Sequence, residues 1–558
     1  MAQKHTKLTY LLIVLVGFLT VCPVLMLLFG SFSEGLTAFG TFTFKKYIDV
    51  YTNPDLLTVI FQTVIFVCGS ALLATTLALF LAYVSTRTDM PFRFLFKIIP
   101  IIPMMIPHIL FSVSWVMLLN PSNGILNLFL MQLFSLETAP FNIYSLPGMI
   151  MVEGLLDLPI AYLIIAPAMS SFDAALEESS RVCGAGSSRT LLRVTLPVLR
   201  PAILAALILC MIRCLASFAV PSAIGMPGKI HVLATHIYRM VSTGFSADYG
   251  QAAAVGVSVL VISIVFIYVY RHFTAASEKF VTIAGRGYKP TIIKLKNAKI
   301  PVFIVLAILS SVLIILPVFV LGYMSLLPYS MVPSAKAFAA MSFKNWIIVL
   351  NDPISLLSLK NSLFLGVFGA SLGIILSIFV AYVIVKARTR SAGVLESLSF
   401  LSFSFPGIVI GVGFMWFFVQ TPLYATIWAL LIGYIATYLP YGIRPLTSAF
   451  VQIHNNLEES SRVAGASYLT TFRRIVAPLL VPGIISGWVL MATMFFRELT
   501  LSVILSRPGS EVLAVQILRF SEDGQWGKLS ALGITMIAIS TLLVSFVYFI
   551  GNKLKPAQ

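Results

Sequence analysis

The chain has 558 residues, of which 59% are hydrophobic and only 10% charged, with a mean hydropathy of +0.99 and a formal net charge of +17. Soluble domains carry about 25% charged residues, so a chain this poor in charge cannot coat a water-facing shell and a soluble globular fold is excluded. The basic excess could point to nucleic acid, but the placement of the charges along the chain accounts for it without such a partner.

An apolar helix needs about 20 residues to cross a bilayer. By that measure the chain has spans at 8–30, 57–84, 96–119, 147–169, 198–223 and 250–271, then at 300–325, 359–385, 397–419, 423–447, 479–505 and 528–550. The first follows Lys4 and Lys7, as a signal peptide would, but it is long enough to be a span. The expected fold class is an all-α membrane protein with about twelve transmembrane helices.

The chain also repeats itself. Leu-Glu-Glu-Ser-Ser-Arg-Val begins at Leu176 and again at Leu457, and the offset of 281 holds through Pro197 and Pro478 and back to Pro159 and Pro440. Earlier landmarks recur at an offset of 299: Tyr47 as Trp346, Pro54 as Pro353, Ala82-Tyr83 as Ala381-Tyr382, and Pro107 as Pro406. The first half therefore holds 18 extra residues, placed in the loop at 120–146 and expected outside. An even number of spans per half makes the two six-helix repeats parallel, related by an axis along the membrane normal. The domain boundaries expected are 1–285 and 286–558, with repeated polar loops at 172–197 and 453–478.

With the N-terminus inside, 25 of the 37 lysines and arginines fall on internal segments, ten on external ones, and Arg213 and Arg497 within spans. This inside excess orients the chain, with both termini and both repeated loops cytoplasmic. The densest basic run, 271–299, would face anionic lipid headgroups. The five cysteines, Cys22, Cys68, Cys183, Cys210 and Cys214, have no metal or redox spacing and read as small packing residues. His231 and His236 are external but five apart, so they do not share a helix face, and no metal site is expected. No catalytic motif occurs, and no enzyme activity is expected of the chain. A phosphate-binding G-x-x-x-x-G-K-[ST] loop is also missing: Gly228-Lys229 and Gly527-Lys528 run on to Ile230 and Leu529.

Each repeated loop opens with acids, which suit a helix N-terminus, with Asp173 and Asn455 or Asn456 as expected caps. Gly184 or Gly465 then permits a sharp bend, a short basic segment follows, and Pro197 or Pro478 starts the next span. An amphipathic hairpin merely capping the bundle would look similar. The pattern resembles the EAA loop of binding-protein-dependent ABC importer permeases. It is carried by Glu178, Gly184, Val194, Leu196 and Pro197, and again by Glu459, Gly465, Ile475, Ala477 and Pro478. Both copies depart from it at Ser179-Ser180 and Ser460-Ser461, where paired alanines are usual, and the second has Ala477 for leucine.

The resemblance implies a type I importer permease fold. Its coupling residues would be Glu177, Glu178, Ser179, Ser180, Gly184 and Pro197, with Glu458, Glu459, Ser460, Ser461, Gly465 and Pro478 in the second copy. It further implies two copies of a cytoplasmic ATPase that hold the ATP and magnesium, an external solute-binding protein, and a bacterial inner membrane location. Fused double permeases of this kind are most similar to the iron(III) importer group, whose relatives carry thiamine, polyamines, phosphonates and sugar phosphates. The supporting residues are 217–221 and 497–502, each followed by a Pro-Gly pair at Pro227-Gly228 or Pro508-Gly509. An ion-coupled secondary transporter is the rival class, but the loop at 85–97 lacks its Gly-Asp-Arg signature. A non-transporting scaffold is a third.

Ionisable groups within spans each need a reason. Glu153 and Asp157 are one helical turn apart, and their repeat equivalents are Tyr434 and Tyr438. Arg213, Arg497 and Glu498 follow, with Ser217 the equivalent of Glu498. Two readings are open: these six residues line a translocation path, or Arg213 pairs with Glu153 or Asp157, and Arg497 with a nearby acid, for packing alone.

Overall fold

The computed structural model describes residues 2–34, 40–171, 174–242, 248–278, 292, 294–386 and 390–553. Almost all of it is helical; among the described residues the strands are one two-residue pair, Ser33–Glu34 with Thr41–Phe42. Every expected span falls on a helix or a bent pair of helices. Nine helices among the described residues are long and apolar enough to cross a bilayer. Arg93–Met105 and His108–Leu119, bent by 99° at a short break, pass the same test only as a pair and make a tenth if counted as one span. Pro107 sits at that bend, where it lacks an amide proton and restricts the preceding residue. Its repeat equivalent Pro406 breaks the corresponding span into Arg390–Leu401 and Gly407–Phe418.

The second spans, Pro54–Arg87 and Pro353–Lys386, are the longest at 34 residues each. Both begin the same way. Asn53 accepts from the Asp55 amide at 2.9 Å and Asp352 from the Ser355 amide at 2.8 Å, each followed by proline in the first turn.

Two spans end earlier than hydropathy indicates. The expected 198–223 stops at Ala216 and the expected 479–505 at Phe496, after which the chain resumes as the short turns Pro221–Gly225 and Ser502–Leu505. In the first half the ring of Pro221 would clash with the carbonyl four residues back, that of Ser217. In the second, the Glu498 carboxylate accepts from the Leu501 amide at 2.6 Å and so caps a new turn instead of continuing the old one.

The halves are interlocked. Helix Ala2–Ser31 packs on Arg390–Leu401 and Gly407–Phe418 of the second half, and Leu316–Leu326 of the second half packs on His108–Leu119 of the first. The 18 extra residues of the first half are built around helix Ile125–Phe134. There the buried Asn127 amide donates to the carbonyls of Leu119, Asn120 and Phe141 and accepts from the Phe141 amide. The expected boundary at 285/286 lies outside the described residues. The far end of that connection is tied to the first half: Asp89 accepts from the Leu295 amide at 2.9 Å and pairs with Lys299 at 3.2 Å. The Leu295 N–H, with Lys299 beside it, holds the Asp89 carboxyl below the usual carboxylate range.

Gly413 marks the tightest crossing between the halves, where an added Cβ would lie 2.1 Å from the Pro23 carbonyl oxygen. Gly413→Val is expected to force helix Ala2–Ser31 away and lower stability by about 3 kcal/mol. Thermal unfolding of the purified protein in detergent checks this, and a midpoint equal to wild type would refute it.

Candidate functional site

The repeated loops fold alike. Helices Ala174–Val182 and Asn455–Val463 are related by the same 281-residue offset, and each ends at a glycine in the left-handed region, Gly184 at φ +82° and Gly465 at φ +87°. A side chain at that φ would be strained, so the bend that separates the two short helices needs glycine. Across the bend Ser180 bonds Thr190 at 3.0 Å and Ser461 bonds Thr471 at 2.9 Å. Second helices Ser187–Thr190 and Tyr468–Thr471 follow, then one π-helical turn, Leu191–Thr195 or Phe472–Val476. Pro197 and Pro478 lie in the first turn of the next span. The cap of the second loop is His454, whose Nδ1 accepts from the Asn456 amide; Asn455 and Asn456 are already inside the helix. Asp173, the cap expected in the first loop, lies outside the described residues.

In each Glu-Glu pair the two acids point differently. Glu177 is buried and accepts from Thr195 Oγ1 at 2.7 Å, and Glu458 is largely enclosed against Lys386 at 2.8 Å. Glu178 and Glu459 are exposed, as are Ser179 and Ser460. At the end of each loop helix stands a bare valine, Val182 at 87% and Val463 at 89% exposure. An apolar side chain is thus exposed at the same place in both loops, with the exposed Arg189 and Arg193 or Arg473 and Arg474 following in the chain.

The second cluster lies between the halves, at the two broken spans. Asp157, on helix Leu146–Ser171, accepts from Arg213 Nε at 2.8 Å, and the Cys214 thiol donates to its other oxygen at 3.3 Å. One turn away Glu153 accepts from Ser217 Oγ at 2.8 Å. The second half joins the same elements at different positions, with the acid moved across: Tyr438, equivalent to Asp157, donates to Glu498, equivalent to Ser217, whose own partner is Glu153. Tyr434, equivalent to Glu153, bonds Ser502 at 2.5 Å. Among the described residues Arg497 makes no ion pair within 4.0 Å. Its Nη1 donates across the interface to the Met104 carbonyl of the first half at 2.6 Å. Arg213, Arg497, Tyr441 and His108 lie within electrostatic range of one another, so the six sequence-selected residues converge on a single place. Glu153, Asp157 and Cys214 have ligand atoms within 4.8 Å of one another, but each has a protein partner.

Sequence reading passed over Met104, His108, Tyr441, Arg87 and Lys386. The last two had a signal, since they are basic residues at the same repeat position at the end of the second spans. Met104 acts through its backbone, which no side-chain pattern reveals. His231 and His236 lie at the opposite end from the repeated loops, and burial lowers the pKa of each, so both stay neutral near pH 7.

The family described as binding-protein-dependent transport system inner membrane component matches residues 74–279 and again 373–556. The ferric transport system permease protein FbpB of Actinobacillus pleuropneumoniae is 25% identical over 565 residues, covering 98% of this chain and 78% of that one. The Fe(3+)-transport system permease protein FbpB 2 of Haemophilus influenzae is 21% identical over 541 residues, covering 96% of each. The spermidine/putrescine transport system permease protein PotC of Haemophilus influenzae is 26% identical over 210 residues, 38% of this chain and 82% of its own length.

Asp157→Asn leaves Arg213 without its counter-ion and is expected to destabilise the protein by about 3 kcal/mol, with Asp157→Asn/Arg213→Gln recovering most of the loss. Thermal unfolding reads the first effect. Solute uptake by the double variant then separates the two readings of the pair: normal uptake would leave it a packing role only.

Proposed function

The chain belongs to the family of binding-protein-dependent transport system inner membrane components, as a fused double permease of an ABC importer, and we propose that ferric iron delivered by an external binding protein is its cargo. The observation that carries this is the pair of family matches, one on each half, together with relatives named for ferric iron that align over nearly the whole chain. The spermidine/putrescine permease aligns over one half only, which makes a polyamine the second reading. The chain is a multi-pass inner membrane protein; the inside excess of Lys and Arg supports cytoplasmic termini and cytoplasmic loops.

On this reading two ATPase subunits, which hold ATP and magnesium, dock on the loops at 172–197 and 453–478. The exposed Val182 and Val463 enter them, and Gly184 and Gly465 hold the bend that presents the loop helix. The path runs between the halves, through Glu153, Asp157, Arg213, Ser217, Arg497 and Glu498. Carboxylate and hydroxyl oxygens are the donors a hard cation takes, and the path offers both. The Arg497–Met104 bond holds the halves together at this point, so it has to break and re-form in each cycle as they part. Two parallel six-helix repeats, 1–285 and 286–558, would thus rock about the charged cluster.

Vesicles containing the permease, its co-purified ATPase and the ferric-loaded binding protein test the proposal. ATP-dependent iron uptake that survives collapse of the proton gradient is expected, and uptake that collapses with the gradient would transfer the chain to the secondary transporters. Arg497→Ala and Glu498→Ala are each expected to cut that uptake about tenfold or more while the ATPase still co-purifies. Normal uptake by both would remove these residues from the path.

A further inference from the structure

The second acid of each Glu-Glu pair faces outward, which leaves the first without a role in docking. In the second half that first acid, Glu458, meets Lys386 Nζ at 2.8 Å, with the side chains only 20% and 10% exposed. Lys386 is the last residue of the helix Pro353–Lys386. Its ammonium also donates to the Ile453 carbonyl at 3.2 Å, one residue past the end of helix Ile427–Gln452. One cation therefore joins three elements: the second span, the end of the fourth span, and the loop helix. The repeat places a basic residue at the same point in the first half. Arg87 ends Pro54–Arg87, is buried, and donates to the Met169 carbonyl near the end of the fourth span at 2.9 Å. Glu177, Arg181 and Arg87 all act electrostatically on Tyr83, so the first-half cluster is assembled around the same corner.

We propose that Lys386, through Glu458, is a positioning residue that fixes the second coupling helix to the second span, so that displacement of the loop is passed to the bundle as well as along the following span. The proposal rests on the docking role given to the loops above. A loop held only by its two chain connections would pivot at Gly465 and at the π-helical turn Phe472–Val476, and part of any push would be lost in bending. The enclosed ion pair removes that freedom. It is a strong restraint because neither partner can be withdrawn without leaving the other an enclosed charge that has lost this counter-ion.

The test uses the full permease with its ATPase and binding protein in vesicles, reading uptake per ATP hydrolysed. Lys386→Met is expected to lower that ratio about fivefold or more, with the ATPase still bound. Lys386→Arg, which keeps the charge, is expected to hold it near wild type. The exchanged pair Lys386→Glu/Glu458→Lys should recover much of what either single exchange loses, and keeps the question answerable should Lys386→Met fail to fold. An unchanged ratio in Lys386→Met, or no recovery in the exchanged pair, overturns the anchor alone. A wild-type complex that binds no ATPase overturns the anchor and the docking role together.

Discussion

Hydrocarbon offers no partner to a polar group, so every charge and every backbone amide within the bilayer has to be satisfied by the protein itself. The middle of this molecule is arranged by that constraint. Two spans end within the apolar depth, at Ala216 and Phe496, and each break leaves backbone groups that a continuous helix would have paired. The break at Ser217 is followed by the turn at Pro221–Gly225, and the break at Glu498 is closed by its own carboxylate on the Leu501 amide. Irregular backbone at membrane depth is tolerated where it is enclosed by protein or lines a cavity, and the arginines at these two breaks, Arg213 and Arg497, lie within electrostatic range of each other. The Asp157–Arg213 ion pair and the crossing Arg497 bond lie within that geometry.

The two halves solve the same problem with different residues. A carboxylate bonded to a hydroxyl bridges the fourth and fifth spans in each, but the acid is on the fourth span in the first half, as Glu153, and after the fifth in the second, as Glu498. Either side can supply the acid, since a hydrogen bond between acid and hydroxyl is indifferent to which side supplies which, and the fourth-span partner moves by one turn, from the place of Glu153 to that of Tyr438. The surplus is in the first half alone: Asp157 and Arg213 pair there, while the second half has Tyr438 and Met494 at those positions. The cluster between the halves is therefore chemically lopsided although it is built on equivalent repeat elements. Such a site suits a cargo handed in one orientation from one side better than a symmetric pore does.

Much of this was legible in the residues. Length of apolar runs placed every expected span on a helix or a bent pair of helices, nine of them long and apolar enough to cross a bilayer among the described residues, because a helix that satisfies its own backbone must be apolar for about 20 residues. The two repeated loops were legible because their glycines and prolines act locally, through φ and the missing amide proton, and Gly184 and Gly465 do take the left-handed conformation. Hydropathy averaged over a span-length window could not see the breaks at Ala216 and Phe496, since apolar residues resume beyond Ser217 and beyond Arg497-Glu498. Nor could it assign Arg497, because its partner is the carbonyl of Met104, brought near only by the bend at Pro107 in the other half. The partner of Arg213 was narrowed to two acids by helix periodicity, but choosing Asp157 over Glu153 required the packing of two helices.

The repeated loops and the charged cluster are joined by single elements. The run Leu191–Ala216 begins at the first loop and ends one residue before Ser217, and Leu469–Phe496 begins at the second loop and ends one residue before Arg497. Each run of 26 or 28 residues spans about 40 Å at 1.5 Å per residue. A helix of that length transmits a tilt as a displacement at its far end, and the far ends carry Arg213, Ser217, Arg497 and Glu498. On the proposed reading a small rotation imposed at the loops would separate Arg497 from Met104 and shift Ser217 against Glu153, without any change in the helices themselves. What limits the stroke is the near end, where the π-helical turns Leu191–Thr195 and Phe472–Val476 are the softest points of each lever. Thr195, bonded to Glu177, closes that turn in the first half. The second half has the buried Val476 at the equivalent place, which carries no hydroxyl, and there Glu458, the equivalent of Glu177, pairs with the enclosed Lys386 instead.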